Sequence, residues 1–357
     1  MERALQLALQ GLGRTSPNPV VGAIVVQGDQ IVGEGYHARA GEPHAEIHAL
    51  ERAGTAARGA TLYVTLEPCC HQGRTPPCVG RVLESGVSRV VVGMTDPNPR
   101  VQGEGIRQLR QAGVEVELIE PGSRSRCAQA NRFFIKHVRT GLPFVTMKYA
   151  MTLDGKIATR IGHSQWISGE EARAYVHEQR GTHDAIMVGV GTVLADDPRL
   201  TARLPGARDP LRVVVDSHAR TPPGARCLPA LVAVGPAAPM ERVEALRACG
   251  AEVQAFSARN GRVDLTELMR CLAARDVLSV LLEGGGRLNA SAIEADLVDA
   301  VAVFIAPIFI GGERAHTPLA GIGVERVSEG WTLREVQWRT MGKDILLEGY
   351  LHPVPVE

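Results

Sequence analysis

The sequence has no excess of charge of either sign, since Lys plus Arg and Asp plus Glu each number 39. Proteins that bind nucleic acid or a membrane surface through their overall field need a net positive charge, so this balance argues against both partners. No apolar run approaches the roughly 18 residues of a membrane-spanning helix. Internal repeats and low-complexity tracts are also lacking, so the composition is that of an ordinary globular protein.

Cysteine is sparse and irregularly spaced. An odd number of cysteines without regular spacing argues against a disulfide framework. The seven lie at positions 69, 70, 78, 127, 227, 249 and 271. The opening stretch MERALQLALQGLGRTSPNP is too interrupted by polar residues for a secretory signal, and no small-residue cleavage site follows it. We therefore expect a reduced, cytoplasmic enzyme or binding protein.

The order of elements predicts an α/β protein with two domains. A chain of 357 residues is long enough for two domains of roughly 150 residues. Strand patterns alternate with short helical patterns in both halves, which is typical of α/β layers. A helix predicted over 125–140 ends in a Gly-Leu-Pro break, after which the pattern restarts. The predicted domains are therefore 1–141 and 142–357.

The predicted elements of the first half begin with a helix over 1–11 and two strands within 20–37, joined at Gly28-Asp29. Further helices are predicted over 43–54, 78–86 and 103–113, and further strands over 61–65, 89–99 and 114–119. In the second half, near-continuous apolar runs predict strands buried on both faces. These runs begin at residues 144, 183, 211, 230, 277 and 299.

One cluster of residue types predicts a metal site. His44-Ala45-Glu46 stands at the start of a predicted helix, Pro68-Cys69 follows a predicted strand, and Cys78 comes after eight intervening residues. One imidazole and two thiolates are three ligands for tetrahedral Zn²⁺, with the fourth position open to water, as in catalytic sites. Zinc lowers the pKa of such a water to around 7. Glu46, beside a ligand but not itself one, could then carry protons.

Other interpretations of these residues stay open. A lone pair of cysteines is usually part of a core, and His44 and His48, four residues apart on one helix, could share a metal between them. Cys70 cannot easily face the same metal as its neighbour and is expected to be a bystander. His71 is expected to line the site rather than bind the metal.

The first half resembles a known family. His-Ala-Glu followed by Pro-Cys is similar to the zinc signature of the cytidine-deaminase-like fold, although eight residues rather than two separate the cysteines. The longer form EPCCHQGRTPPC, together with TSPNPVVGAIVV, EGYH and MTDPNPRVQGEGI, is similar to the deaminase half of bacterial RibD-type proteins of riboflavin synthesis. Cys70 departs from that pattern, where Ser is common.

Two features of the second half indicate ligand binding. Backbone N–H groups of Gly284, Gly285 and Gly286, at a predicted helix start, could hold a phosphate. The same glycines could equally form a tight turn, because the Rossmann pattern G-x-G-x-x-G is absent. The stretch 189–203 collects charged side chains that could clamp a phosphate or hold ribose hydroxyls. As solvated charges they would need no such explanation.

The second half resembles the RibD-type reductase domain, which is related to dihydrofolate reductases and uses NADPH. The resemblance rests on KYAMTLDGKIA, SQWIS, GVGTVLADDPRLT, VVDS and LLEGG. It implies cofactor contacts at Ala150, Trp166, Thr192, Asp196, Ser217, Gly284, Gly285, Gly286, Arg287, Leu288, Asn289, Ala290 and Ser291. It implies substrate contacts at Lys148, Ser164, Arg180, Leu200, Arg203 and Glu283. Asp154 is a further neighbour of the ribose, and Trp166 could instead be a core residue.

Together these resemblances imply a cytidine-deaminase-like domain followed by a dihydrofolate-reductase-like domain. The expected function is hydrolytic deamination of 2,5-diamino-6-ribosylamino-4(3H)-pyrimidinone 5′-phosphate, followed by NADPH-dependent reduction of its ribosyl group to ribityl. No residue of the second half is an obvious acid. The family also implies a homo-oligomer. The alternatives are a nucleic-acid base deaminase and a non-catalytic, zinc-stabilised binding protein.

Overall fold

The computed structural model describes residues 1–71, 76–99 and 101–354. The chain forms two compact units, Met1–Gly141 and Leu142–Pro353. Val354 packs against the core of the first unit rather than with the second domain, to which the sequence interpretation assigned it.

The first unit contains a five-stranded sheet. Its strands are β1 (Gly22–Gln27), β2 (Gln30–Tyr36), β3 (Thr61–Val64), β4 (Arg89–Val92) and β5 (Glu115–Leu118). They lie in the order β2-β1-β3-β4-β5. β1 is antiparallel to both of its neighbours, whereas β3, β4 and β5 run parallel. The parallel strands end at one edge of the sheet, which brings the segments that follow them together.

Six α-helices accompany this sheet in the described part of the unit. They are α1 (Glu2–Leu9), α2 (Ala45–Ala53), α3 (Cys78–Ser85), α4 (Glu104–Gln111), α5 (Pro121–Ala130) and α6 (Arg132–Thr140), with a 3-10 turn at Gly54–Ala57. The single helix predicted over 125–140 is wrong in one respect, because α5 and α6 are separate helices on either side of Asn131. The Asn131 side chain accepts from Val20 N at 2.9 Å and donates to Val20 O at 3.0 Å. This pairing with a distant backbone occurs where the helix is interrupted.

The second unit is built on a nine-stranded sheet with a small separate hairpin. Its strands are β6 (Phe144–Thr152), β7 (Ala185–Gly189), β8 (Leu211–Val215), β9 (Leu231–Val234), β10 (Glu252–Ala255), β11 (Ala258–Arg259), β12 (Arg262–Val263), β13 (Ser279–Leu282), β14 (Ala300–Ala306), β15 (Arg334–Met341) and β16 (Asp344–Tyr350). The large sheet has the order β10-β9-β8-β7-β13-β6-β14-β16-β15, and β11 pairs with β12 alone.

Seven strands of the large sheet, from β10 to β14, run parallel, and the pair β16 and β15 closes one side antiparallel. The helices are α7 (Glu170–Thr182), α8 (Val190–Asp196), α9 (Met240–Ala248), α10 (Leu265–Ala273) and α11 (Gly286–Glu294), with a 3-10 turn at Val327–Glu329. All four residues of β9 and of β13 are buried, which confirms the prediction of strands covered on both faces.

The predicted α/β class is therefore confirmed in both units. Within the described part of the chain, no helix combines the length and apolar character needed to cross a bilayer.

Candidate active sites

Three side chains of the first unit form a metal-ligand cluster. His44 immediately precedes α2, Cys69 lies in the segment after β3, and Cys78 is the first residue of α3. His44 Nδ1 lies 3.1 Å from Cys78 Sγ and 3.5 Å from Cys69 Sγ. All three ligand atoms lie within 4.8 Å of one another. Two helix starts and one strand end thus bring together residues separated by up to 34 positions.

The donor set and its spacing fit zinc. Tetrahedral Zn²⁺ with the usual bond lengths would hold its nitrogen and sulfur ligands roughly 3.5 Å apart. A hydrogen bond from the Cys78 thiol, together with the His44 imidazole, lowers the pKa of Cys69 to about 4. These contacts favour the thiolate form of Cys69, which is the form that binds metal.

The neighbouring candidates stand outside this cluster of His44, Cys69 and Cys78. His48 and Cys70 are not among the three grouped residues. Cys70 packs against the hydrophobic core of the first unit, as expected for a bystander. His71 is exposed, so its expected place lining the site stays a prediction.

Glu46 lies in the first turn of α2, beside the cluster, and is only 3% exposed. Burial, and next the charge of Cys69, raise the pKa of Glu46 to about 7, and its carboxyl group hydrogen-bonds with Cys78. A group with a pKa near the working pH can both accept and return a proton, which is what general acid–base catalysis requires.

The sequence interpretation missed a buried histidine that supports His44. The His37 ring stands edge-on to the His44 ring, with the centroids 5.2 Å apart. His37 Nδ1 lies 3.2 Å from Pro43 O, which can only accept, so Nδ1 carries a proton. Burial lowers the pKa of His37, and the neutral ring then accepts at Nε2 from Asn18 Nδ2 at 3.1 Å. Both residues lie in the motifs TSPNPVVGAIVV and EGYH, for which only a resemblance and no role was given.

A second buried carboxylate of this unit, Glu67, was also missed. It is 3% exposed and accepts hydrogen bonds from the backbone N–H groups of Asp96, Gly103 and Ile106 at 2.9 to 3.2 Å. These groups belong to the loop after β4 and the first turn of α4. Glu67 therefore fixes that loop against the segment carrying Cys69.

The second unit brings Lys148, Arg180 and Glu283 into one ion network. Arg180 binds Glu283 through two hydrogen bonds of 2.7 and 2.9 Å, and Lys148 Nζ lies 3.9 Å from Glu283 Oε2. Burial by itself would raise the pKa of Glu283, but Arg180 and Lys148 outweigh it and lower that pKa to about 2. Burial lowers the pKa of Lys148 despite Glu283. The network therefore keeps the buried Glu283 carboxylate charged, and beside it the Lys148 ammonium loses its proton more readily than an exposed lysine does.

A strained loop lies beside this network. Asp197, Leu200 and Arg203 have φ values of 40°, 56° and 56°, a region that non-glycine residues adopt at a cost. Ala202 N donates to Asp209 and Arg226 N donates to Asp197, which hold the loop in place. The charges of Arg180, Arg199 and Arg226 lower the pKa of Arg203, after the effect of burial. Such a positive cluster suits an anion.

Leu200 lies in this loop, and its expected substrate contact stays a prediction. Its side chain is 1% exposed and belongs to a hydrophobic core of the second unit, so such a contact would come from its backbone. His177, which sequence reasoning missed, is one turn of α7 before Arg180, and the charges of Arg180 and Arg203 help burial to lower its pKa.

The three glycines after β13 differ in what surrounds them. A Cβ added at Gly284 would lie 2.7 Å from Asn289 Oδ1, and one at Gly286 would lie 2.3 Å from Thr317 O. A Cβ at Gly285 would meet only Thr192 Oγ1, at 3.9 Å. Gly284 and Gly286 are therefore needed for tight packing. Gly285 borders open space beside Thr192.

Ser164 is an expected substrate contact, whereas Trp166, Asp196, Asn289 and Ala290 are expected cofactor contacts. Ser164 donates to Asp196 at 3.0 Å, and the Trp166 ring is 66% exposed, which excludes the core alternative for Trp166. In α11, Asn289 and Ala290 are buried, and Asn289 Nδ2 donates to Pro318 O. The side chains of Asn289 and Ala290 therefore pack inside the protein and support the turn, and they do not point toward a ligand.

The other expected residues are distributed as follows. Ala150 lies on β6, Ser217 follows β8, and Leu288 packs against a core of the second unit. Arg287 is exposed at the start of α11, and Ser291 lies further along that helix. Asp154 is held by Thr152 and by the N–H groups of Ile310 and Gly311, so its carboxylate anchors a loop and is already occupied.

Comparison with known proteins identifies relatives of both halves. The cytidine and deoxycytidylate deaminase zinc-binding region matches residues 1–94, and the RibD C-terminal domain matches residues 143–347. The riboflavin biosynthesis protein RibD of Actinobacillus pleuropneumoniae is 46% identical over 353 residues, which cover 98% of this chain and 93% of that protein.

Solved structures give the same result over both units. Acinetobacter baumannii RibD, form 1, has a TM-score of 0.86 at 35% identity and covers 98% of this chain and 97% of that one. A diaminohydroxyphosphoribosylaminopyrimidine deaminase/5-amino-6-(5-phosphoribosylamino)uracil reductase from Thermotoga maritima has a TM-score of 0.84 at 37% identity, with the same coverage.

Proposed function

Because the chain belongs to the RibD family of riboflavin biosynthesis, we propose that each of its two units carries one half of the family's chemistry. The protein is a bifunctional deaminase and reductase with Zn²⁺ and NADPH as cofactors. Residues 1–141 deaminate and residues 142–353 reduce. The observation that carries the proposal is the cluster of His44, Cys69 and Cys78 beside buried Glu46, in a chain whose other unit matches the reductase domain.

In the deaminase unit, His44, Cys69 and Cys78 hold zinc, which supplies an acidified water when bound. The substrate is 2,5-diamino-6-ribosylamino-4(3H)-pyrimidinone 5′-phosphate. Glu46 takes a proton from the attacking water and gives it to the ring nitrogen. The hydroxyl group that the water has added to the ring carbon then loses its proton to Glu46 and becomes the carbonyl. Glu46 passes that proton to the leaving ammonia as the carbon–nitrogen bond breaks. His37 and Asn18 keep the His44 ring in place from behind.

In the reductase unit, NADPH supplies a hydride to the ribosyl carbon that becomes part of the ribityl chain. The proton needed on the oxygen has a candidate donor in Lys148, whose pKa burial lowers. Glu283 and Arg180 orient the ribose hydroxyls around Lys148. Arg203, with Arg180 and the Leu200 backbone, binds the substrate phosphate, and Ser164 lines the same pocket.

Cofactor binding uses the carboxyl ends of neighbouring strands. Ala150 on β6, Trp166 and the α8 residues Thr192 and Asp196 flank the cofactor. The turn from Gly284 to Ser291 approaches its phosphates through backbone N–H groups at the start of α11. Ser217, at the end of β8, lies at the far end of the site.

The proposed context is a cytoplasmic homo-oligomer that takes a small-molecule ribotide and binds neither nucleic acid nor a membrane. The equal numbers of acidic and basic residues support this against a nucleic-acid base deaminase. A non-catalytic zinc protein would have no need of a buried carboxyl group with a pKa of about 7 beside the metal ligands.

The test is to supply the pyrimidine ribotide and to measure ammonia release and NADPH oxidation separately, with and without added zinc. Ammonia release that requires zinc, followed by NADPH oxidation, is the expected result. A protein that binds zinc and releases no ammonia from the ribotide would be a binding protein instead.

A further inference from the structure

A separate hairpin that carries two arginines follows β10, an edge strand of the second unit's large sheet. β11 and β12 are joined by Asn260 and Gly261, whose φ values of 54° and 72° suit a two-residue turn with both central residues left-handed. Arg259 and Arg262 stand directly opposite each other in this ladder. Like charges at directly opposed positions destabilise a strand pair, so something other than the hairpin's own stability accounts for them.

Neither arginine is neutralised within the described part of the chain. The acidic side chains next to the hairpin are engaged elsewhere: Asp264 accepts from the first N–H groups of α10, and Glu267 accepts from Ser257. Both guanidinium groups are exposed, and neither forms an ion pair with a described residue. Two arginines at directly opposed positions, neither paired with a carboxylate, suit the binding of a doubly charged anion.

The hairpin is tied to two parts of the proposed cofactor site. Arg262 Nη1 donates to Ser291 Oγ on α11 at 3.3 Å, and Val263 N donates to Ser217 Oγ after β8 at 3.1 Å. Ser217 and Ser291 are both in the set proposed to contact the cofactor. The arginine pair therefore sits beside that site rather than on an unrelated surface.

Strand order decides which end of the cofactor lies there. The sheet runs β10-β9-β8-β7-β13-β6, and the hairpin follows β10 directly. The nicotinamide is placed at β6, where Ala150 and Lys148 lie, and the phosphates at the turn after β13. A dinucleotide across these strand ends reaches Ser217 with its adenosine ribose, on the side of the sheet where the hairpin stands.

We propose that Arg262, assisted by Arg259, binds the 2′-phosphate of NADPH and is the residue pair that makes this enzyme prefer NADPH over NADH. The inference rests on the proposed cofactor site. NADH differs from NADPH only in lacking that phosphate, so the two arginines act on one cofactor and not on the other.

The first measurement is binding of adenosine 2′,5′-bisphosphate to the full chain by calorimetry, which needs no turnover. We expect Arg262→Gln to weaken binding at least about tenfold, the loss of one charge-assisted hydrogen bond, and Arg259→Gln to weaken it less. Adenosine 5′-monophosphate, without the 2′-phosphate, should bind the variants and the unchanged protein equally. Arg270→Gln, an exposed arginine on α10, is the matched control and should change nothing.

The second measurement is steady-state reduction of the deaminated substrate. In Arg262→Gln, KM for NADPH should rise by the same factor, while kcat with NADPH and KM for NADH stay constant. An affinity for the bisphosphate within about twofold of the unchanged protein, or equal losses for NADPH and NADH, would overturn the assignment. A chain that oxidises neither cofactor would instead refute the reductase proposal, which is a separate outcome.

Discussion

Glu46 shows at the residue scale how position sets chemistry. The carboxyl group is nearly fully buried and lies against Cys78, and its pKa of about 7 suits a proton carrier rather than a permanent charge. Glu46→Gln keeps the size and polarity and removes the titration. We expect retained zinc and a deamination rate lower by at least about 100-fold.

Glu51 offers the matched control, because it is an exposed glutamate on the same helix. Glu51→Gln should deaminate at the normal rate. Ammonia release measured for both variants checks the prediction, and near-normal turnover in Glu46→Gln would remove Glu46 from the mechanism.

The two adjacent cysteines make a second test at this scale. Cys69 Sγ lies 3.5 Å from His44 Nδ1, whereas Cys70 is partly buried and packs against the hydrophobic core. Cys69→Ala or Cys78→Ala should lose the zinc, about one ion per chain in the unchanged protein. Cys70→Ser should keep both zinc and deamination. Metal analysis of the purified variants decides the assignment, which fails if Cys70→Ser strips the metal and Cys69→Ser does not.

At the scale of elements, the glycine-rich turn before α11 separates packing from ligand access. A Cβ at Gly286 would press on the backbone oxygen of Thr317, which cannot move as a side-chain end could. Gly286→Ala should therefore destabilise the protein by about 1–3 kcal/mol, as overpacking does. Gly285→Ala meets nothing closer than 3.9 Å and should leave stability unchanged.

Thermal unfolding of the two alanine variants measures this difference. A loss of 1–3 kcal/mol corresponds to a lower Tm by at least about 2 °C in a domain of this size. If both variants had the same Tm, the backbone around Thr317 would be able to move away from the new methyl group without a loss of stability.

At the scale of the whole molecule, the two proposed sites share no residue. The zinc cluster and Glu46 belong to Met1–Gly141, and the cofactor and ribose contacts belong to Leu142–Pro353. Glu46→Gln should therefore reduce the supplied deaminated intermediate at nearly the normal rate. Gly285→Leu, which fills the space toward Thr192, should raise KM for NADPH and leave ammonia release unchanged.

Both half-reactions are to be measured in both variants, after circular dichroism has established that each is folded. If Glu46→Gln abolished reduction of the supplied intermediate, or Gly285→Leu abolished deamination, the two sites would not be independent.

Several features of the fold can be predicted from the sequence alone, because they depend on residues that are close together in the chain. Strand and helix periods are set by neighbouring residues, which is why the α/β class and the buried strands β9 and β13 were predicted. The metal-binding residue types also stand in short motifs, so the sequence predicts the cluster of His44, Cys69 and Cys78.

Tertiary structure alone decided the contacts between distant segments. Where a predicted helix is interrupted, the Asn131 side chain hydrogen-bonds Val20, 111 positions away, and Arg180 binds Glu283 across 103 positions. Contacts between distant segments also bury Leu200 and place the arginine hairpin. They explain as well why a side chain would fit at Gly285 but not at Gly286. Sequence spacing determines which side chains lie on the same helix or strand. Strand order and packing determine which elements contact each other. The free energy of those long-range contacts cannot be seen in any short stretch of sequence.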